Sequence, residues 1–294
     1  MGHIFRHKLA RLRGSILGFG LALFALGWPL LSAYEVIRRE QEKVAELAKN
    51  FKGIITALGG DVNNLASPAN YLSMRYFSFL PLILGIFAVL AGSGLVATDE
   101  ENGTLDLTLA HPISRTALFA ERWLAFLVAL MATVGLAWFG LWLPAQNGDF
   151  PLTGSELLRP YISLLAALLF FGNLALLLSM VLPARRLAAA VAGLLLGANF
   201  FLTMLARVNP GLEPIARFSP LQYYQSGEAI NGLNGSWVAG LLGGAVLFGL
   251  LAWWRFDRRD IRIAGEGVWG WPFQRRSRGV ASGPHLVAVI PERE

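Results

Sequence analysis

The sequence predicts an all-α membrane protein with six transmembrane helices. Two observations carry that prediction. Of 294 residues, 55% are hydrophobic and only 15% charged, where a soluble domain carries about 25% charge. The hydrophobic residues are also gathered into runs of about 20, the length an α-helix needs to cross the hydrocarbon core of a bilayer. Backbone groups in lipid must satisfy one another, so such runs are read as helices.

The elements follow in chain order. At the N-terminus Ile4, Phe5, Leu9, Leu12 and Ile16 share one helical face, with Arg6, His7, Arg11 and Arg13 largely opposite. That is the pattern of a basic amphipathic helix lying in the membrane interface. Six apolar runs follow, at residues 14–33, 77–97, 123–143, 161–182, 187–206 and 236–254, none with an Asp, Glu, Lys or Arg in its interior. The first follows a basic segment, as a signal peptide would. It is long enough to span and no small-residue cleavage site follows it, so it is read as retained. Trp28, Trp123, Trp142, Trp237, Trp253 and Trp254 stand near run ends, as an interfacial aromatic belt requires.

Residues 34–76 form a long outer loop. A stripe of Val36, Ile37, Val44, Leu47, Phe51, Ile54 and Ile55 predicts that the first helix continues outward or that a separate outer helix forms, ending at Gly59 and Gly60. Pro210, Pro214 and Pro220 predict short broken helices in the last outer loop. The Gly- and Arg-rich residues 263–294 read as a flexible cytoplasmic tail. The net charge is +6, and its distribution orients the chain. With both termini cytoplasmic, the inner segments hold Arg6, Lys8, Arg11 and Arg13, then Arg115 and Arg122, then Arg185 and Arg186, then Arg255, Arg258 and Arg259. The two short outer loops hold only Arg159, Arg207 and Arg217, which obeys the positive-inside rule. This predicts a multi-pass protein of the cell's inner (plasma) membrane. Basic charge beside apolar runs points to membrane orientation and away from nucleic acid.

Several chemistries are excluded or unsupported. Cysteine is absent, so there is no disulfide, thiolate nucleophile or cysteine-ligated metal. None of the four lysines, Lys8, Lys43, Lys49 and Lys52, follows a glycine, so a P-loop for ATP cannot form. The histidines, His3, His7, His111 and His285, lack metal-ligand spacing, and no nucleophile–base pair is apparent. The chain is therefore not expected to be an enzyme, and it shows no cofactor site of its own. The small residues Gly92, Ser93 and Gly94 suit helix packing. Asn173 and Asn199 are the notable intramembrane polar groups. Interhelical hydrogen bonds are their favoured role, and lining a translocation path is the alternative.

The segment between the second and third runs, residues 98–122, has more detail than a plain turn. It contains the acids Asp99, Glu100 and Glu101, an Asn-Gly turn at Asn102 and Gly103, a short leucine-rich piece, and His-Pro-Ile-Ser-Arg. Thr104 suits an N-cap. Pro112 disfavours helix at His111. Ser114 suits the cap of a helix leading into the third span. Leu105 and Leu109 are four apart and share a face. The residues thus predict a short helix between two turns, held against the inner face of the membrane.

The stretch "DEENGTLDLTLAHPISRTALFAERWLA" resembles the loop of type-2 ABC transporter permeases. There an acidic residue and a Gly-Thr-Leu segment precede Pro-x-Ser-Arg and a third span. The matching positions are Glu100, Glu101, Gly103, Thr104, Leu105, Leu109, Pro112, Ser114 and Arg115, with Asp99 beside them. The six spans, the basic start, "FSPLQYY" and "WRFDRRDI" extend the resemblance over roughly residues 1–262. The long first outer loop is similar to the branch that includes the permease of the nitrous-oxide-reductase maturation system. Thr108, where a leucine is common, and Glu121 with Arg122, where a basic residue often stands, depart mildly from the pattern.

The resemblance implies a mechanism. Two permeases, identical or sister chains, pair in the bilayer. Each docks a separately made ABC ATPase, two copies in all, which bind ATP and Mg. The short loop helix is the coupling helix that sits in the ATPase groove, with Glu100, Glu101 and Arg115 making polar contacts and Leu105 and Leu109 anchoring it. An export permease is the leading function. The alternative is a mechanotransmitter that moves a periplasmic or extracellular protein without bulk transport.

The topology is tested with single cysteines, which a cysteine-free chain accepts without background. With both termini inside, Ser67→Cys reacts with an impermeant thiol reagent in intact cells. Ser282→Cys reacts only after lysis; the reverse pattern overturns the orientation.

Overall fold

The computed structural model describes residues 2–40, 46, 50–61, 64–65, 67–103, 114–147 and 150–258. Val44 and Leu47 of the outer stripe, the loop residues Thr104, Leu105, Thr108, Leu109, His111 and Pro112, and the tail at 263–294 lie outside them. Among the described residues the protein is helical throughout, with no strand. Among these residues five helices are long and apolar enough to cross a membrane, and a bent pair, taken as one span, brings the number to six.

The first helix, α1 (His3–Arg39), is a single continuous element. The sequence suggested a separate interfacial helix followed by a span. The structure corrects this: nothing between Arg13 and Gly14 breaks the helix. Its 37 residues reach about 55 Å, well beyond the hydrocarbon core of about 30 Å. The outer region holds α2 (Lys52–Ala57) and α3 (Pro68–Leu72). Gly59, at φ 76°, ends α2 as the sequence predicts. Its N–H bonds the Thr56 carbonyl at 2.9 Å and the Gly60 N–H bonds the Ile55 carbonyl at 2.8 Å, a Schellman closure that needs a left-handed residue. Of the stripe residues here, Ile55 is buried while Phe51 and Ile54 are exposed.

The second span departs from the straight helix expected over 77–97. α3 runs into a π-type turn, Ser73–Phe77, and then α4 (Leu80–Ser93), with a 40° bend. The cause is Pro81. It lacks the N–H that would bond the Phe77 carbonyl, and its ring crowds that oxygen. The Tyr224 hydroxyl donates to the Phe77 carbonyl instead, at 2.9 Å, so the freed acceptor is satisfied within protein, as lipid demands. A further short helix, α5 (Ala97–Glu101), follows.

The remaining spans are α6 (Arg115–Asn147), α7 (Gly154–Val181), α8 (Arg185–Ala206) and α10 (Gly235–Arg258), with α9 (Glu213–Ala216) and three 3₁₀ turns before α10. Those short pieces match the Pro-rich prediction. Thr153 and Glu156 close a capping box at the start of α7. α7 is the centre: 67% of its most apolar stretch is buried inside the monomer, against 22% for α1, α8 and α10. α4 and α10 flank it, and α1 lies along α6 in the same direction.

Glycines permit the closest approaches. A Cβ on Gly92 would strike the Gly172 carbonyl, and one on Gly27 the Gly140 carbonyl. These contacts join α4 to α7 and α1 to α6, the packing expected of small residues in lipid. The second span's glycines are thus spent inside the monomer, whereas Gly193 and Gly197 on α8 face open space. Gly92→Ala is therefore expected to cost about 1–3 kcal/mol by overpacking. Gly135→Ala, on α6 where a Cβ would also meet open space, is expected to be neutral or stabilising by up to about 1 kcal/mol through helix propensity. Thermal unfolding of both variants in detergent checks the pair.

Candidate functional site

The segment leading into the undescribed loop is fastened to three spans. α5 begins three residues after Gly94, and its Asp99 faces the start of α1. Asp99 pairs with Arg11 at 2.9 Å, with Arg122 of α6 at 2.9 Å and with Lys8 at 3.9 Å. The Lys8 ammonium also donates to the Gly94 carbonyl at 2.9 Å. These are not surface pairs: the side chains of Lys8, Arg122 and Asp99 are 7%, 4% and 14% exposed. Glu100 is buried beside them, and Glu101 is exposed.

Two more acids close helix ends. Glu121 accepts from the Gly2 N–H at 3.0 Å and the Phe5 N–H at 3.2 Å. Its carboxylate meets the unpaired amides and positive dipole end of α1. Glu101 accepts from the Arg185 N–H at 3.0 Å, doing the same for α8. Glu121 was one of the departures from the family pattern, and the structure supplies its reason. The Asp99–Arg122 pair explains the other half of that dipeptide. Sequence reasoning missed both roles. Nothing local pointed from Arg122 to Asp99, or from Glu121 to the amides of Gly2 and Phe5 more than a hundred residues away.

The far side of the loop is equally anchored. Ser114 accepts from the Ala117 N–H at 3.2 Å, the predicted cap of α6. Arg115 donates to the Asp257 carbonyl at 3.4 Å, and the Trp253 indole to Thr116 at 3.3 Å, fastening α6 to the end of α10. Gly103 has φ 65°, the left-handed conformation that the Asn-Gly turn suggests and that side chains disfavour. The structure thus brings Asp99, Glu100, Glu101 and Gly103 to one end of the helix bundle and places Ser114 and Arg115 at the start of α6 there. Thr104, Leu105, Leu109 and Pro112 are outside the described residues.

The two asparagines separate. Asn173 is buried and bridges three helices: its oxygen accepts from the Trp123 indole of α6 at 3.0 Å, and its amide donates to the Ala245 carbonyl of α10 at 3.0 Å. That is the interhelical role favoured from sequence. Asn199 is half-buried on the outward-facing α8 and bonds the Leu195 carbonyl of its own helix at 2.7 Å.

At the opposite end of the molecule lies an open polar cleft of about 410 Å³, bordered by Thr56, Asp61, Asn70, Arg207, Glu228 and Asn231. Burial holds the Arg207 guanidinium below its usual pKa, and Glu228 and Tyr224 oppose that shift.

Comparison with known families matches residues 11–261 to the ABC-2 family transporter protein. The chain belongs to that family. No curated protein matches the sequence. An ABC-2 protein is the membrane permease subunit of an ABC transporter rather than its catalyst. The bundle of apolar helices described above is that of an integral membrane protein.

In this permease, Asp99→Asn removes one carboxylate from three cations. Leaving buried charge unpaired costs about 3–5 kcal/mol. Arg11 is 45% exposed, so Arg11→Gln is expected to cost less than about 1 kcal/mol. Thermal unfolding in detergent checks this order, and equal losses contradict it.

Proposed function

We propose that this chain is the permease of an ATP-driven exporter. It works as one of a pair and is driven by a separate ATPase whose groove receives the 98–122 loop. What supports this reading is the fastening of that loop. Within it Asp99 and Glu101 are ion-paired or hydrogen-bonded to α1, α6 and α8, and Arg115 is hydrogen-bonded to α10. A load applied at the loop would reach four spans, through the buried Asp99–Arg122 pair and through contacts at the surface of the bundle. A loose surface turn would need none of them.

Pairing is supported by the open faces. α1, α8 and α10 bury little within the monomer, and the small residues Gly193 and Gly197 leave α8 room for close contact. The basic end, which carries Lys8, Arg11, Arg115, Arg122 and Arg185, is proposed to face the cytoplasm of the inner membrane. ATP and Mg would bind the ATPase alone.

The test acts on the loop. Leu105→Asp removes an apolar anchor worth on the order of 1.5–3 kcal/mol and adds a desolvation cost. Docking of the ATPase is expected to weaken by about ten- to hundredfold, while the spans still insert. Gly103→Val acts similarly, because valine is strained at φ 65°. Co-purification of the ATPase and ATP-dependent activity in membranes, at matched permease levels, measure the effect. If both variants bind and function as the parent does, the coupling role is wrong.

A further inference from the structure

We propose that a groove at the basic end, between α1, α4 and the start of α8, binds one anionic phospholipid. Its phosphate would be held by Lys8, Arg11 and Arg185, and an acyl chain would lie along Phe19, Phe87 and Leu90. The groove has about 310 Å³ of space, and these six residues line it. That is about ten water molecules' worth of volume, enough for a phosphoglycerol headgroup and the first part of a chain.

The two halves of the lining differ in chemistry, as a lipid's do. Lys8 and Arg11 stand near the start of α1, and Arg185 begins α8. Further along the groove the rings of Phe19 and Phe87 stack at 5.5 Å between centroids, and Leu90 is 48% exposed. Eight residues separate Arg11 from Phe19, about 12 Å along a helix. The polar and apolar regions are therefore spaced along the direction in which a lipid lies.

Charge decides the class of ligand. The basic side chains here are Lys8, Arg11, Arg185 and, behind them, Arg122. The facing acids are Asp99, already shared among Lys8, Arg11 and Arg122, and Glu100. Glu101 is turned to the Arg185 backbone. Arg185 makes no side-chain ion pair among the described residues, and its buried Nε has no hydrogen-bond partner. A cation left without an acceptor beside an apolar trough, at the end of a membrane bundle, fits a lipid phosphate. Basic pockets between transmembrane helices bind anionic headgroups in this way. Assignment to the cytoplasmic leaflet rests on the proposed orientation; the binding itself does not.

Native mass spectrometry of the purified full chain, titrated with phosphatidylglycerol or phosphatidylcholine, tests the site without needing transport or an ATPase. The parent is expected to retain one phosphatidylglycerol in preference to phosphatidylcholine. Each basic contact is worth about fivefold in affinity for an anionic lipid. The Arg11→Gln/Arg185→Gln variant is therefore expected to lose about 20- to 30-fold. Arg186 is exposed and does not line the groove, so Arg186→Gln should retain the lipid as the parent does. Leu90→Trp keeps every charge and fills the apolar half, and should also lower retention. It serves as the second variant if the double substitution fails to fold. The proposal is overturned if the double variant keeps the preference, if Arg186→Gln loses as much, or if Leu90→Trp changes nothing. Soluble glycerol phosphate binding as tightly as phosphatidylglycerol would also overturn it, since the site would then take a free headgroup.

Discussion

A single carboxylate, that of Asp99, holds together parts of the chain that are far apart in sequence. It meets Arg11, Arg122 and Lys8 in a place that excludes most water. Taking charges out of water is costly, and the cost is recovered only if the partners are close and complete. The loop entry, the start of α1 and the start of α6 are therefore not free to move separately. Glu121 and Glu101 extend the same logic to helix ends, setting acids against the amides of α1 and α8. The basic end of the protein is one electrostatic unit.

The membrane core is organised by a different force. Apolar side chains gain little from one another over lipid, so helices associate by close packing. α7 serves as the common wall, reached by α4 through Gly92 and Gly172 and tied to α6 and α10 through Asn173. The same accounting explains why α1, α8 and α10 keep broad apolar surfaces outward. Leu194 on α8 is 73% exposed and Val246 on α10 is 55% exposed, which is ordinary for residues that face lipid or another subunit.

Toward the opposite end the chain resolves a defect of its own making. Pro81 breaks the second span, and Tyr224, brought by the last outer loop, takes up the released carbonyl. Burial raises the Tyr224 pKa, so its hydroxyl stays a donor. Nearby, the Ser73 and Ser226 hydroxyls are 3.1 Å apart and those of Tyr161 and Tyr76 are 3.2 Å apart. The outer pieces are in this way joined to the break and not simply draped over it.

Much of this was legible in the sequence, because hydrophobicity, proline and glycine act locally. The spans follow from run length, the Ser114 cap from a hydroxyl before an apolar run, the end of α2 from Gly59, and the positive φ at Gly103 from the Asn-Gly turn. The kink at Pro81 was legible in principle, though hydropathy averages over it. What the sequence alone could not supply is pairing across distance. It set Asp99 beside the acids of the coupling segment without a partner, whereas the fold turns that carboxylate to Arg11, Arg122 and Lys8. It marked Gly92 for helix packing, but only the fold shows that the helix it meets is α7, at Gly172. It separated the amphipathic start from the first span, whereas α1 runs straight through both. Each depends on which helix lies beside which, and that is decided by packing and charge summed over the whole bundle, not by any window of residues.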